Sequence, residues 1–224
     1  MQAPDSVWAV IVARVGTGAK SRLAGALSPD QRQALALAML ADVVDVCVQA
    51  RAVLAGTLAV VDAPEARQVV ERGGAMAIAD PGSGDMNAAV VLGLRSARER
   101  GATTALVVPG DVPLIARSDF EALLEAAGAA PRAVIVAASH DGGGTNALLL
   151  RPPEVIRPGF GPPSLQRHVR AGLAAGALTR VRFGLHLAYD VDTPTDLAGL
   201  QSAHPRPHTV AALADLAVVL GSIK

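Results

Sequence analysis

Residues 104–113 read Thr104-Ala105-Leu106-Val107-Val108-Pro109-Gly110-Asp111-Val112-Pro113. The apolar run Ala105 to Val108 has the length and β-branched content of a buried strand, and Pro109-Gly110 ends it. Asp111 therefore stands where a buried strand meets a loop, and in an open α/β sheet ligands bind at such strand ends. A second acidic stretch, Asp190-Val191-Asp192-Thr193-Pro194, follows the strand-like run Leu185 to Tyr189. A third element, Gly16-Thr17-Gly18-Ala19-Lys20-Ser21-Arg22-Leu23, follows the strand-like run Val7 to Val12 and brings glycines and cations to the same kind of place. Carboxylate oxygens suit Mg²⁺, and Mg²⁺ suits phosphates. Together the three elements read as a nucleotide-phosphate enzyme.

Outward from this stretch, strand-like and helix-like segments alternate. Val7 to Val12, Val53 to Val61, Ala75 to Ala79 and Thr104 to Val108 read as strands. Val134 to Ala138 and Ala147 to Leu150 read as two more, flanking a glycine turn. Helices are predicted from Pro29 to about Gln49 with Ser28 as N-cap, from Pro64 to Arg72, from Met86 to Arg100, from a Ser118 cap to about Ala127, and from Pro162 to Ala175. Val181 to Phe183 and Leu185 to Tyr189 lead into the second acidic stretch, after which Thr193 can cap a helix opening at Pro194. The alternation predicts a single three-layer α/β/α domain with a mostly parallel, mixed sheet. That domain is expected over residues 1–203. An extension over residues 204–224 is expected to be helical, packing on the body or on a partner copy, so a homo-oligomer is compatible with the sequence.

The composition narrows the function. The chain has 224 residues, 51% of them hydrophobic and only 2% aromatic, so Ala, Val and Leu must pack the core. A formal net charge of +0 gives no sign of a nucleic-acid or membrane surface. Cys47 is alone, which excludes a disulfide framework. Neither a signal peptide nor an apolar run of bilayer length is evident, and a cytoplasmic protein is expected.

Each motif has a plain alternative. The 16–23 loop has neither P-loop nor dinucleotide-fingerprint spacing. Its backbone N–H groups could still cradle phosphate, with Arg14, Lys20 and Arg22 adding charge; otherwise it is an ordinary strand-to-helix loop. Asp190 and Asp192, two apart, share a face if extended and could share a metal with Asp111, or Asp192 with Thr193 could merely cap a helix. Asp141-Gly142-Gly143-Gly144-Thr145-Asn146 is a hairpin turn with more glycine than a hairpin needs, which suggests close backbone approach to a ligand. Ser164 and His168 share a helix face beyond Phe160-Gly161-Pro162-Pro163, and that helix N-terminus is an anion site; the alternatives are a simple N-cap and a surface histidine. The loop Asp80 to Asn87 is either a cap, through Asp85 or Ser83, or a nucleoside contact through Asn87 and the loop backbone.

Taken in order, Ala19-Lys20-Ser21-Arg22-Leu23, Gly110-Asp111-Val112-Pro113, Gly144-Thr145, Phe160-Gly161-Pro162-x-Ser164 with His168, and Asp190-Val191-Asp192-Thr193-Pro194 resemble the 2-phospho-L-lactate guanylyltransferase family of coenzyme F-420 biosynthesis, whose bacterial members include phosphoenolpyruvate guanylyltransferases. The resemblance spans about Val7 to Leu200. It implies a nucleotide-diphospho-sugar-transferase-like fold, shared with molybdopterin guanylyltransferases. It also implies transfer of GMP from GTP to a small phosphorylated carboxylic acid, with release of pyrophosphate. By the same resemblance Asp111, Asp190 and Asp192 match metal-binding carboxylates, for Mg²⁺ or Mn²⁺. Lys20 and Arg22, with Arg14, Gly18 and Asn87, fall on the nucleotide side, and Lys20, Arg22 and Asp111 are the expected catalytic groups. Thr145, Gly161 and Ser164, with His168, fall on the phosphoacid side. Arg14 stands where the family often has Lys, and Asn146 where smaller residues are common. The competing readings are a molybdopterin or sugar-phosphate nucleotidyltransferase, against which the absence of a Leu-Ala-Gly-Gly start argues, and a non-catalytic nucleotide-binding domain.

Overall fold

The computed structural model describes residues 6–221 other than 17, 81 and 83. Thr17 of the first glycine loop and Ser83, a candidate cap, lie outside the described residues. The elements run β1 (Val7–Ala13), α1 (Pro29–Gln49), β2 (Gly56–Val61), α2 (Pro64–Arg72), β3 (Met76–Ala79), α3 (Met86–Glu99), β4 (Thr104–Pro109), α4 (Arg117–Ala127), β5 (Ala133–Ala138), β6 (Thr145–Arg151), α5 (Ser164–Ala174), β7 (Leu178–Arg182), α6 (Pro194–Ser202) and α7 (Pro207–Gly221). Single 3₁₀ turns cover Ser21–Leu23 and His186–Ala188.

The strands form one mixed sheet of order β3-β2-β1-β4-β6-β5-β7. β1 pairs in parallel with β2 and β4, and β2 with β3. β6 runs antiparallel between β4 and β5, and β7 lies parallel to β5. Alternation along β1 builds the three layers. Ala9, Ile11 and Ala13 face the cluster that includes Leu40 and Val43 of α1, Val70 of α2 and Phe120 of α4, while Val10 and Val12 face Val90 and Leu94 of α3. A third cluster joins Leu23, Leu35 and Met39 to Val191, Leu200, Leu213 and Leu216, so α7 packs with α1 and α6. Among the described residues no helix is long and apolar enough to cross a membrane.

The topology locates a crevice. From β1 the chain first moves outward to β2 and β3, then crosses to the other side of β1 to form β4. Loops leaving the carboxyl ends of β1 and β4 therefore diverge, and the space between them is the switch point of the sheet. The antiparallel register sets Leu148 opposite Val107, which brings the start of β6, Thr145, to the same edge.

Several expected bounds shift; the strand expected over Val181 to Phe183 is β7 at Leu178–Arg182, and four other changes have a visible hydrogen-bonding reason. β2 begins at Gly56 rather than Val53, because the N–H groups of Val53 and Leu54 turn back to Ala50 O. Ser118 is not the cap of α4; the helix opens at Arg117, and Asp119 accepts the Ala116 N–H at 2.9 Å. Leu185 to Tyr189 is not a strand. Buried Asp119 also accepts the N–H groups of His186 (3.1 Å) and Leu187 (3.2 Å) and draws this segment into a 3₁₀ turn. The last helix opens at Pro207, where the Asp42 carboxylate of α1 accepts the N–H groups of His208 (3.0 Å) and Thr209 (2.8 Å).

Candidate active site

Lys20 ends the loop that follows β1. Its backbone is left-handed, φ 51° and ψ 40°, a costly conformation for a residue with a Cβ. The loop is held from below. Arg32, buried in α1, donates to Ala19 O (3.3 Å) and Leu27 O (3.0 Å), and Asp62 accepts the Val15 N–H at 2.9 Å. Leu23 inserts into the third apolar cluster. The strained turn directs Nζ between two carboxylates, 2.5 Å from Asp111 Oδ2 and 2.9 Å from Asp192 Oδ1. The Lys20 side chain is only 7% exposed. Burial alone would lower its pKa, but the charges of Asp111 and Asp192 and their hydrogen bonds outweigh this and raise it above the usual lysine value. Lys20 is a fixed cation and no proton donor at neutral pH.

Asp111 follows β4 through Gly110. A Cβ at Gly110 would lie 2.6 Å from the Ala13 Cβ, so close packing of β1 and β4 demands glycine there. Asp190 and Asp192 follow the 3₁₀ turn, with Val191 between them packed in the third apolar cluster. Thr193 caps α6 in a reciprocal box with Asp196, which leaves the two carboxylates to the crevice. Asn146 donates from Nδ2 to Ala188 O (2.8 Å) and to Asp190 Oδ1 (2.9 Å), fixing that carboxylate. Burial, with the charges of Asp111 and Asp192, raises the Asp190 pKa against the opposing Asn146 bond.

Two cavities meet here. The first, about 260 Å³, lies over β1 and is lined by Arg14, Gly18, Lys20 and Gly110. The second, about 330 Å³, lies over β6 and is lined by Arg22, Gly144, Thr145, Asn146, Gly161, Ser164 and Asp190. Met86, Pro109, Asp111 and Asp192 border both. In the β1-side lobe Arg14 donates Nη1 to Gly84 O at 2.5 Å, while its Nη2 is buried without a partner. Arg22 stands 3.4 Å from Asp192 Oδ2, mostly exposed.

The structure brings the expected residues other than Asn87 and His168 into the lining of one crevice, with several changes of role. Asn87 is not free to read a base. Its Oδ1 accepts the Phe160 N–H at 2.7 Å and its Nδ2 donates to Phe160 O at 3.3 Å, so it ties α3 to the loop before α5. The glycine turn does not expose its N–H groups, because Asp141 Oδ1 accepts those of Gly143 (3.0 Å) and Gly144 (3.4 Å) and a bond from the Ser139 hydroxyl. Gly161 is required by its φ of +92° rather than by space, since an added Cβ would meet nothing within 4 Å. His168 is not on the surface. It is 1% exposed and bonded to Thr145 and Gly159. Ser164 opens α5 rather than capping it, and Arg167 is engaged with the carbonyls of Gly161 and Pro162.

Asp111, Asp190 and Asp192 approach one junction. Among the described residues no three acidic, histidine or cysteine side chains form a ready-made metal set, and the Lys20 ammonium takes one oxygen each of Asp111 and Asp192. The positioning residues Arg32, Asp62 and Asn146, and Met86 on the border of both lobes, are not singled out for these roles by the sequence.

The model of the family described as "Guanylyl transferase CofC like" matches residues 7–207. A phosphoenolpyruvate guanylyltransferase of Rubrobacter xylanophilus is 41% identical over 88% of this chain and 95% of its own. One of Conexibacter woesei is 37% identical over 88% and 87%, and a 3-phospho-D-glycerate guanylyltransferase of Phenylobacterium zucineum is 34% identical over 93% and 95%. Among solved structures, a protein of Desulfovibrio desulfuricans G20 assigned as a nucleotide-diphospho-sugar transferase superposes with a TM-score of 0.73 at 19% identity, covering 97% of this chain and 98% of its own. A nucleotidyl transferase of Methanothermobacter thermautotroptrophicus gives 0.67 at 18%, covering 88% and 96%. These two share the fold. The sequence matches go further, and the chain is a guanylyltransferase that belongs to the CofC-like family.

Proposed function

We propose that this enzyme transfers GMP from GTP to phosphoenolpyruvate, releasing pyrophosphate, as a step in coenzyme F-420 biosynthesis. The observation that carries this reading is the two-lobed crevice with Lys20, Asp111 and Asp192 at its junction. GTP lies in the β1-side lobe, where Arg14 Nη2 and Lys20 face its phosphates. The acceptor lies in the β6-side lobe, with its carboxylate toward Thr145, Gly161 and Ser164 and its phosphate toward the junction. An acceptor phosphate oxygen attacks the GTP α-phosphorus, and the bond to the β-phosphate oxygen breaks. That oxygen is ionised at neutral pH, so no general base is needed. The cationic junction neutralises crowded oxygens, and the two lobes supply positioning.

Asp111, Asp190 and Asp192 would hold a divalent cation, Mg²⁺ or Mn²⁺. Their hard oxygens suit it, and Asp111 Oδ1 is buried with no hydrogen-bond partner. When bound, such an ion supplies charge neutralisation at the phosphate oxygens. Lys20 must then yield its place on Asp111 and Asp192, and the triphosphate offers its ammonium a new partner.

The test is pyrophosphate release from GTP and Mg²⁺ with phosphoenolpyruvate, 2-phospho-L-lactate or 3-phosphoglycerate in separate reactions, with product masses measured. The expected outcome is a guanylated product formed fastest with phosphoenolpyruvate. Faster turnover of another acceptor overturns the choice of acceptor, and equal turnover of ATP overturns the choice of nucleotide.

A further inference from the structure

His168 sits on α5 below the acceptor lobe and does not line it. Its ring stands edge-on to Phe160, with centroids 4.9 Å apart. Nε2 lies 2.9 Å from the backbone nitrogen of Gly159. A backbone N–H can only donate, so Nε2 must accept and carries no proton. In the neutral ring the proton is then on Nδ1, 3.0 Å from Thr145 Oγ1. Burial, followed by the charge of Arg167, pulls the His168 pKa down to about 4, which keeps the ring in this form at neutral pH. Nδ1–H therefore donates and Thr145 Oγ1 accepts. The hydroxyl's own proton has to point elsewhere, and Thr145 lines the acceptor lobe.

We propose that His168 is a positioning residue that makes the Thr145 hydroxyl a hydrogen-bond donor toward an anionic oxygen of the acceptor. The same ring holds the Gly159 end of the loop that carries Gly161. The arrangement matters because the neighbouring glycine N–H groups are already taken by Asp141. The Thr145 hydroxyl is thus a donor directed into the lobe from the start of β6. A donor of fixed direction favours a carboxylate over a neutral amide or ester at that position, because the uncharged group accepts a weaker bond. The proposal rests on the acceptor occupying the β6-side lobe, as argued above.

Two substitutions separate the two bonds of the ring. His168→Asn keeps a donor near the Nδ1 position and loses the contact with Gly159. His168→Gln keeps an acceptor near the Nε2 position and loses the donor to Thr145. Michaelis constants for phosphoenolpyruvate and GTP are measured with Mg²⁺ for the wild type, both variants, Thr145→Val, and Thr145→Val combined with His168→Gln. Michaelis constants do not depend on the fraction folded, so reduced stability does not blur the result. The expected outcome is an acceptor KM raised about tenfold by His168→Gln, the size of one lost bond to a charged group. The rise should be smaller for His168→Asn, and His168→Gln should add nothing once Thr145 is valine. An equal rise in the GTP KM, or full additivity in the double variant, overturns the positioning role while leaving the acceptor lobe standing. An unchanged acceptor KM in Thr145→Val overturns the acceptor lobe and the positioning role with it.

Discussion

Replacing Lys20 with methionine separates the two tasks of this side chain. The ammonium bridges Asp111 and Asp192 at 2.5 and 2.9 Å. Breaking a fully buried pair costs about 3–5 kcal/mol. Here the cation is 7% exposed but its partners are 30% and 41% exposed, so water screens most of that loss. A destabilisation of about 1–2 kcal/mol follows, or a Tm lower by about 2–8 °C for a chain of this size. Turnover should fall further than stability. Loss of one preorganised charge at the reacting phosphates costs about 10²–10³ in kcat. The discriminating readout is metal binding without nucleotide. In the wild type a divalent ion must displace the ammonium, whereas in Lys20→Met the carboxylates face each other with no cation between them. Thermal melts over a Mn²⁺ or Mg²⁺ titration should then show a larger shift for the variant than for the wild type, following the logarithmic dependence on ligand concentration. A variant with near-normal kcat, or one whose Tm responds to metal no more than the wild type, refutes the assignment of Lys20 to the junction.

Three further outcomes follow from the same geometry. Asn87→Ala should raise the acceptor KM at least as much as the GTP KM, because both polar atoms of Asn87 hold Phe160; a change confined to discrimination between GTP and ATP would return Asn87 to base recognition. Asp42→Ala should cost about 1–2 kcal/mol, as loss of a helix cap does, and speed amide exchange over 207–216, since Asp42 caps α7 from α1; unchanged exchange there would mean that α7 holds by its apolar face alone. For His168 the pKa lies near 6.5 in the unfolded chain and at about 4 in the fold. Its contribution is complete above pH 6.5 and is lost as pH falls toward 4, on the order of 3 kcal/mol, and denaturant melts of His168→Asn should show a shallower acid slope than the wild type.

The fold was legible where periodicity and punctuation agree. Ser28-Pro29 marks the start of α1, and Pro64 to Arg72 matches α2 end to end. Legibility failed where a distant carboxylate overrides local preference. Leu185 to Tyr189 has the pattern of a strand, yet Asp119, far away in sequence, accepts two of its N–H groups and coils it. In the crevice the residue types pointed to phosphate and metal chemistry, and the residues do meet. Which atoms are free could not be read from the chain. Asn87 and the glycines at 143 and 144 look like ligand-binding groups until their partners, Phe160 and Asp141, are known.

The two lobes differ in how their polar groups are held. On the β6 side, short side chains are fixed by hydrogen bonds: Asn146 to Asp190, His168 to Thr145, Asp141 to the glycine turn. On the β1 side the groups are long cations, Arg14 and Lys20, and the strongest bonds of Lys20 are to the carboxylates expected to receive a metal. A rigid acceptor lobe costs little ordering entropy on binding and rejects an acceptor whose anionic groups are misplaced. The nucleotide lobe must instead exchange Lys20–carboxylate contacts for Lys20–phosphate and metal–carboxylate contacts. That exchange is nearly balanced only when triphosphate and metal arrive together, because either alone leaves a charge without a partner. Metal and GTP should therefore bind with positive coupling, each tightening the other by the same factor, and Lys20→Met should reduce that coupling by removing the cation that links them.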